Sequence, residues 1–303
     1  MNDNPTPTDD RQTTGAASSR GDGYAQVNGV RLHYVEQGAG SLILFLHGFP
    51  EFWYAWKDLL PAFARDRRAV ALDMRGYNLS GMPKPVEAYR EPVIVEDIRL
   101  LTIALGAEKF VLVGHDWGGV IAWDFAAAHP EMLEKLVIVN APHRAMLARQ
   151  LVRNPAQQKA SAYFNLFATP EAEAVLSQND YARLQQAVFG TWTTDDDRQR
   201  YLECWRRGLT GGLNYYRAAG LKSPLGAQEL ARSRSAVPSP RIAVPTLVIW
   251  GEKDFALLPG LLDGLDERVS NLKIVRVPEA GHWVVHEQPQ LVIQAIRAFL
   301  GET

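Results

Sequence analysis

The sequence predicts an α/β protein in which helices flank a mostly parallel central sheet and a helical cap is inserted late in the chain. Over residues 24–140, apolar runs of strand length alternate with helical segments, as a mostly parallel sheet requires. Between residues 141 and 241 the strand signal disappears and helical stretches are broken by Pro, Gly and Thr-rich joints. Strands return after residue 241. We therefore expect a core at 24–140 and 242–303 and a helical cap at 141–241.

Residues 1–23 differ from the rest in composition. Asn, Asp, Pro, Thr, Ser and Gly dominate this segment, which has no large aliphatic or aromatic residue beyond Met1. Such a composition cannot bury enough apolar surface to fold, so we expect a disordered N-terminal leader. The segment also lacks the apolar region of a secretory signal, and no run of eighteen or more apolar residues occurs in the chain. A cytoplasmic location is the expectation.

Hydrophobic periodicity predicts the individual elements. In the first part of the core, strands are predicted at residues 24–27, 31–37, 42–46, 69–72, 110–113 and 136–139, and helices at 52–64, 93–105 and 120–128. The helix at 52–64 is based on the helical spacing of its apolar residues, Trp53, Trp56, Leu59, Leu60 and Phe63. Helical stretches follow at 171–176, 181–189 and 196–208, and strands at 246–250 and 273–277.

Asp116 lies where a buried strand must turn into a helix within a few residues. The sequence there reads Gly114-His115-Asp116-Trp117-Gly118, and glycines on both sides permit a tight, strained turn that lifts the central side chain above the sheet edge. This strand–turn–helix motif usually carries serine as a nucleophile. An aspartate needs no base to activate it, but its attack on carbon yields an ester, so a second step must release the product.

A base and an acid for that second step follow in the chain. Asp254 comes after the strand at 246–250, and His282 comes after the strand at 273–277. The order nucleophile, acid, base is that of the same motif. Asp254 would orient the imidazole of His282, which would deprotonate the water that cleaves the ester. His286 lies four residues further on, but the spacing H-x-x-x-H lacks the glutamate of a metalloprotease motif, so we expect His286 to be structural.

Two backbone N–H groups are predicted to form an oxyanion hole. Phe49 follows the strand at 42–46, within His47-Gly48-Phe49-Pro50, and Trp117 follows the nucleophile. Their N–H groups would converge on the carboxylate oxygen that becomes negatively charged when water attacks the ester. Pro50 restricts Phe49 to extended geometry and leaves both the cis and the trans form of the Phe49-Pro50 bond open.

These motifs together resemble the epoxide hydrolase branch of the α/β-hydrolase fold, the soluble type with an Asp nucleophile. The resemblance spans nearly the whole chain after residue 23. The matched stretches are His47-Gly48-Phe49-Pro50-Glu51, Asp73-Met74-Arg75-Gly76-Tyr77, Gly114-His115-Asp116-Trp117-Gly118-Gly119, Gly251-Glu252-Lys253-Asp254 and Gly281-His282-Trp283. The resemblance implies hydrolysis of an epoxide to a vicinal diol.

The same resemblance implies two cap tyrosines that donate hydrogen bonds to the epoxide oxygen. Tyr216 lies in Asn214-Tyr215-Tyr216-Arg217, which is similar to the family's motif, and Tyr163 lies in the looser context Ala162-Tyr163-Phe164. Ring opening generates an alkoxide, and a phenol with its pKa near 10 can protonate that oxygen while staying neutral at pH 7. The remaining reading of Tyr163 is a half-buried aromatic residue of the cap.

Two other functions stay open. A haloalkane or haloacid dehalogenase uses the same Asp-His-Asp triad, but similar haloalkane dehalogenases often carry Asn at the position of Phe49. Fluoroacetate-type enzymes carry arginines soon after the nucleophile, where this chain has Trp117-Gly118-Gly119-Val120. The third function is a non-catalytic receptor or scaffold on the same fold, because fold does not imply function.

The composition agrees with a small apolar substrate. The predicted pocket walls are large apolar side chains near the predicted site, which favours an apolar aryl or alkyl epoxide with water as co-substrate. They are Phe167, Phe189, Trp192, Leu257 and Trp283, together with Phe49 and Trp117. The 303 residues include 47% hydrophobic residues, and the net charge is −2 without a basic stripe, so neither nucleic acid nor a membrane is an expected partner. A homodimer is left open.

Three residues outside the predicted site carry structural expectations. Cys204 is the only cysteine, which excludes an intramolecular disulfide and a cysteine-based metal cluster, and we expect it to pack in the cap. No cofactor and no metal is implied. Asp73 and Arg75 follow a strand end and are predicted to form a structural ion pair.

Overall fold

The described residues form an α/β structure around one sheet. The computed structural model describes residues 20–220 and 241–302. Its eight-stranded sheet has the order β1-β2-β4-β3-β5-β6-β7-β8. In chain order the strands are Gly21–Val27 (β1), Val30–Gln37 (β2), Leu42–Leu46 (β3), Arg68–Leu72 (β4), Phe110–His115 (β5), Leu133–Val139 (β6), Thr246–Gly251 (β7) and Leu272–Val277 (β8).

Helices cover the sheet and fill the interval between β6 and β7. The α-helices are Leu60–Phe63 (α1), Glu91–Ala104 (α2), Trp117–Ala128 (α3), Arg144–Arg153 (α4), Pro155–Ala160 (α5), Tyr163–Phe167 (α6), Ala172–Val188 (α7), Asp195–Arg207 (α8), Thr210–Ala218 (α9), Val284–Glu287 (α10) and Pro289–Leu300 (α11). Short 3-10 helices occur at Trp53–Trp56, Val86–Tyr89, Pro130–Met132, Pro259–Leu262 and Leu265–Glu267. We call residues 144–218, which contain α4 to α9, the helical insertion.

The sheet is mostly parallel, as the alternating pattern predicts. β1 pairs with β2 and β2 with β4 in antiparallel fashion, and every pairing from β4 through β3 to β8 is parallel. Strands β3, β5 and β7 are buried throughout, which explains their continuous apolar runs, because helices cover both faces of a parallel sheet. The carboxyl ends of β3, β5, β6, β7 and β8 lie side by side at one edge.

A predicted helix and the end of the predicted leader differ from the structure. The predicted helix at 52–64 is wrong as a single element, because a 3-10 helix at Trp53–Trp56 and the short helix α1 replace it. Its apolar residues are buried as predicted, but Pro61 lacks the backbone N–H that a continuous helix would need at this position. The first strand begins at Gly21, so residues 21–23 are ordered, although they fall within the predicted leader.

Some predictions fall outside the described residues. Residues 1–19 of the predicted leader, 221–240 of the predicted cap and Thr303 of the core are among these. In the helical insertion the two predicted stretches 171–176 and 181–189 correspond to α7, which is interrupted by left-handed backbone at Asn179, Asp180 and Tyr181. No helix within residues 20–220 and 241–302 is long and apolar enough to cross a membrane.

The predicted ion pair between Asp73 and Arg75 is wrong. Arg75 reaches helix α2 instead, where Nε and Nη2 donate to the two carboxylate oxygens of Asp97 at 2.6 and 2.5 Å. Asp73 accepts hydrogen bonds from the backbone N–H of Trp53 at 2.8 Å and from Asn78 at 2.7 Å. Proximity in sequence therefore did not make these two residues partners.

We expect Arg75→Met to destabilise the fold strongly. The side chains of Arg75 and Asp97 are 4% and 2% exposed, and removing one partner of a buried pair leaves an uncompensated charge at a cost of about 3–5 kcal/mol. Urea unfolding measures the loss. Arg99→Ala on the same helix is the control, because its pair with Glu96 is exposed to solvent. Equal unfolding midpoints for the two variants would contradict the assignment.

Candidate active site

Asp116 lies in the strained turn that the sequence predicts between β5 and α3. Its backbone has φ 49° and ψ −121°, a conformation that costs about 1–3 kcal/mol outside glycine. The neighbouring glycines permit the close packing around it, because a Cβ on Gly118 would lie 2.2 Å from the carbonyl oxygen of Leu46 and one on Gly114 would lie 2.4 Å from that of Gly118. The turn holds the carboxylate at the end of the sheet beside the loop after β3.

The loop after β3 supplies a hydrogen bond to this carboxylate. The backbone N–H of Phe49 donates to Oδ1 of Asp116 at 2.9 Å. A Cβ on Gly48 would lie 2.3 Å from the Asp116 side chain, so glycine lets the loop approach. Trp117 is the first residue of α3, and its N–H is therefore among the helical donors without an intrahelical acceptor. The Phe49-Pro50 peptide bond is cis.

His282 and Asp254 form a buried pair next to Asp116. Nδ1 of His282 lies 2.7 Å from Oδ2 of Asp254, and Nε2 lies 3.8 Å from Oδ2 of Asp116. Further donors hold Asp254: Asn140 at Oδ2, and the backbone N–H groups of Ala256 and Leu257 at Oδ1, each at 2.8 Å. The imidazole is thereby oriented with its free nitrogen towards Asp116.

The charges around His282 decide its protonation. Burial lowers the pKa of His282, but the charge and hydrogen bond of Asp254, with further contributions from Asp116 and Glu51, outweigh burial and raise the pKa to about 9. Burial would raise the pKa of Asp254, whereas His282 and the hydrogen bonds hold that pKa below its ordinary value. The carboxylates around the ring therefore favour the protonated form of His282 in the resting site, and His282 favours the ionised form of Asp254.

Tyr163 and Tyr216 come from two helices of the insertion and meet over the site. Their rings lie 6.1 Å apart, and the ring of Tyr216 packs edge-on against Trp117 at 5.1 Å and Phe49 at 5.7 Å. Burial first, and the charge of Asp116 second, raise the pKa of both phenols well above 10. Both hydroxyls are thus neutral donors at any ordinary pH.

The structure brings some of the predicted pocket residues to this site and not others. Phe167 lies 5.2 Å from the ring of Phe49 and 5.0 Å from that of Tyr216, and Trp283 packs edge-on against His282 at 4.6 Å. Leu257 is buried beside the site through its N–H bond to Asp254. Two predicted walls pack elsewhere: Phe189 stacks on Trp205 and Trp192 stacks on His286.

Sequence reasoning missed a polar group on the far side of His282. The ring nitrogens of His115 lie 2.9 Å from the backbone carbonyl oxygen of His282 and 3.1 Å from Oε2 of Glu51. Asn140, which donates to Asp254, also accepts the N–H of Gly251 at 2.8 Å. The sequence did contain a signal for these residues. His115 ends one apolar strand, Asn140 directly follows another, and Glu51 lies in the loop after a third. In the described parts of the chain, no group of three His, Cys, Asp or Glu is placed to hold a metal.

Comparisons with known proteins agree with this fold and site. Residues 41–289 match the family model described as alpha/beta hydrolase fold. A similar relative, AB hydrolase superfamily protein YfhM of Bacillus subtilis, is 37% identical over 91% of this chain and 96% of its own length. Epoxide hydrolase 4 of Mus musculus is 34% identical over 91% of this chain and 77% of its own length.

A solved structure is similar over the same range. It is a mutant of an epoxide hydrolase from Bacillus megaterium in complex with its product (R)-3-[1]naphthyloxy-propane-1,2-diol, with a TM-score of 0.88, 38% identity and coverage of 92% of this chain and 100% of that chain. The chain belongs to the α/β-hydrolase fold family and, within it, to the epoxide hydrolases.

Neutralising Asp116 should lower the pKa of His282. Asp116 is one of the charges that raise the pKa to about 9, so in Asp116→Asn the imidazole should lose its proton at a lower pH than in the wild type. NMR titration of the His282 ring measures the difference. Asp124→Asn, which changes a partly buried carboxylate bound by Arg144, is the control. An unchanged pKa of His282 in Asp116→Asn would contradict the electrostatic coupling.

Proposed function

We propose that this chain converts an apolar aryl or alkyl epoxide and water into a vicinal diol through an ester on Asp116. Epoxide hydrolysis is the activity of the family to which the chain belongs. The observation that carries the mechanism is the position of two neutral phenols, Tyr163 and Tyr216, opposite a buried carboxylate that is paired with a histidine. A carboxylate nucleophile facing phenolic acids matches the need of ring opening, which must protonate an alkoxide.

In the first step Asp116 opens the ring. Oδ1 is held by the N–H of Phe49, so Oδ2 is the oxygen that attacks an epoxide carbon. A new C–O bond forms, the ring C–O bond breaks, and its electron pair moves to the epoxide oxygen. That oxygen takes a proton from Tyr163 or Tyr216. Because alkylation removes the negative charge of Asp116, it lowers the pKa of His282. The imidazolium then releases its proton to solvent, and the neutral ring is available as the base of the second step.

In the second step water cleaves the ester. His282 accepts a proton from a water molecule, and the hydroxide adds to the carboxyl carbon of Asp116. The ester carbonyl oxygen, which is the former Oδ1, becomes an oxyanion that the N–H groups of Phe49 and Trp117 stabilise. When this intermediate collapses, the leaving oxygen takes the proton from His282 and the diol is released. The proton that remains on the Asp116 carboxyl group returns, by way of solvent, to the tyrosinate formed in the first step, so that both the carboxylate and the phenol are restored. Asp254 stabilises the imidazolium that exists in between.

The substrate class follows from the walls of the site. Phe49, Phe167 and Trp283 surround the reacting groups with aromatic surface, which favours an apolar substituent on the epoxide. We infer that the helical insertion acts as the cap of this pocket, since Tyr163, Phe167 and Tyr216 all belong to it. The similar enzyme from Bacillus megaterium was solved with an aryl diol as its product.

The alternatives predict different products. A dehalogenase releases halide and forms no alkoxide that an acid must protonate. A non-catalytic scaffold forms no product. Incubation with styrene oxide, a 1-haloalkane and fluoroacetate, with diol and halide measured in parallel, separates them. Diol from styrene oxide without halide release is the expected result. A cytoplasmic location and a homodimer stay predictions from the sequence.

His282→Gln should form the ester and then stall. The variant keeps the nucleophile and both phenols but lacks the base for the second step, so mass spectrometry of the intact protein should show an adduct of one substrate mass. Asp116→Asn is the matched control and should show neither adduct nor diol. Wild-type turnover by Asp116→Asn, without deamidation back to Asp, would refute the assignment of the nucleophile.

The tyrosines should act on the first step only. General acid assistance is worth about 10²–10⁴-fold, so Tyr163→Phe and Tyr216→Phe should each lose part of this factor in ester formation. The double variant should lose nearly all of it, and the losses should not be additive because both phenols serve one oxygen. Single-turnover measurement of ester formation is the readout. Tyr215→Phe, whose hydroxyl donates to the carbonyl oxygen of Arg75 at 3.0 Å, is the control. If the double variant forms the ester at the wild-type rate, the two tyrosines only pack in the site and do not act as acids.

A further inference from the structure

Glu51 is a fully buried carboxylate that the two steps above do not use. Its oxygens lie 2.7 Å from the hydroxyl of Tyr201, 2.7 Å from Nε2 of His286 and 3.1 Å from Nδ1 of His115. Burial would raise the pKa of Glu51, but the two histidines outweigh burial and hold the pKa well below its usual range. A buried anion of this kind is tolerated only when its oxygens are satisfied, so the three donors fix the position of the carboxylate.

Glu51 is connected to three parts of the apparatus for ester hydrolysis. It follows Phe49, whose N–H contacts Asp116, by two residues. Through His115 it reaches the backbone carbonyl oxygen of His282, and His115 directly precedes Asp116 in the chain. The oxyanion loop, the nucleophile turn and the backbone of the base therefore share one anionic centre.

The helical insertion also packs against Glu51 and His286. The ring of Trp192 stacks on His286 at 4.1 Å with 13° between the planes. Tyr201, on α8, donates to Glu51. One turn further along α8, Trp205 donates through Nε1 to the carbonyl oxygen of Pro50 at 2.7 Å. His286, which comes from α10 in the core, is thus held between a stacked indole and the Glu51 carboxylate.

We propose that His286 is a positioning residue for hydrolysis of the ester. Together with Tyr201 it fixes Glu51, and through Glu51 and His115 it sets the placement of the Phe49 N–H relative to Nε2 of His282. This inference rests on the proposed function, since it assigns a role in the second of its two steps.

The effect should fall on one step. Ring opening needs Oδ2 of Asp116 and the phenols of Tyr163 and Tyr216, and the hydrogen bonds of Glu51 do not include these atoms. In ester hydrolysis, the base His282 and the N–H donors of the oxyanion hole must both be correctly placed around the ester. A small misplacement of either costs up to about 10²-fold in rate. A residue that only supported the fold would change stability or slow both steps alike.

The test is a single-turnover experiment with styrene oxide, in which rapid quenching and intact-protein mass spectrometry follow the ester. His286→Leu removes the donor to Glu51 and should slow ester hydrolysis about tenfold, while ester formation changes less than about twofold. His286→Gln retains an N–H donor at a similar reach and should recover most of the rate. Tyr201→Phe removes a single oxygen atom and should slow the same step. The double variant should show less than the sum of the losses, because both residues act on Glu51.

Tyr54→Phe is the matched control. It removes another hydrogen bond between the core and α8, from the Tyr54 hydroxyl to Asp197 at 3.0 Å. The hydrogen bonds of Glu51 do not include Tyr54, so both steps should stay unchanged. Ester hydrolysis at the wild-type rate in His286→Leu and Tyr201→Phe, or equal slowing of both steps, would overturn this inference alone. If His286→Leu does not fold, Tyr201→Phe decides. Failure of His282→Gln to accumulate any ester would overturn the proposed function and this inference with it.

Discussion

The close contact between the loop after β3 and the turn after β5 is the constraint on which the site depends. Gly48 lies against the Asp116 side chain and Gly118 against the backbone of Leu46, at distances that leave no space for a Cβ. This contact lets a backbone N–H reach Asp116 and gives the carboxylate one bound and one free oxygen. It exists because β3 and β5 are parallel neighbours in the sheet, so their carboxyl ends meet. The backbone strain at Asp116 is offset by the packing of the strand and helix on either side.

Charge and neutral donors are divided between the two parts of the molecule. The core carries Asp116, Asp254 and His282, a row of alternating charges that is almost excluded from water. The insertion contributes phenols, whose pKa values burial raises further, and aromatic rings. The core thus holds the groups of the site that are charged at rest, and the insertion holds donors that start and end each cycle neutral. Such an arrangement keeps strong electrostatic interactions between Asp116, His282 and Asp254 in a site of low dielectric.

The parts that could be predicted from the sequence are those that local rules determine. The fold class follows from alternating apolar runs, and the positions of Asp116, Asp254 and His282 follow from the strands that end just before them. The ion pair predicted for Asp73 and Arg75 was wrong because a partner across space, Asp97, satisfied the guanidinium better. The helix at 52–64 was wrong because its apolar spacing ignored Pro61. His286 was expected to be structural because its spacing from His282 lacks the glutamate of a metalloprotease motif. Its partner, Glu51, is 235 positions away, and no local pattern marks such a pair. Phe189 and Trp192 were chosen by residue type, which does not distinguish aromatic residues beside Asp116 from those that pack on Trp205 and His286.

The position of the insertion in the chain affects how the molecule folds. β6 and β7 are parallel neighbours, with Leu136 opposite Thr246, and the whole insertion lies between them. Pairing these strands must close a very long loop, and contacts between residues far apart in sequence slow folding more than local ones do. The segment up to β6 contains Asp116 and its glycines and can form its sheet contacts without that closure. Asp254 and His282 lie in the loops after β7 and β8. The nucleophile turn therefore depends only on strand pairings within the first part of the chain, whereas the acid and the base depend on closure of the long loop between β6 and β7.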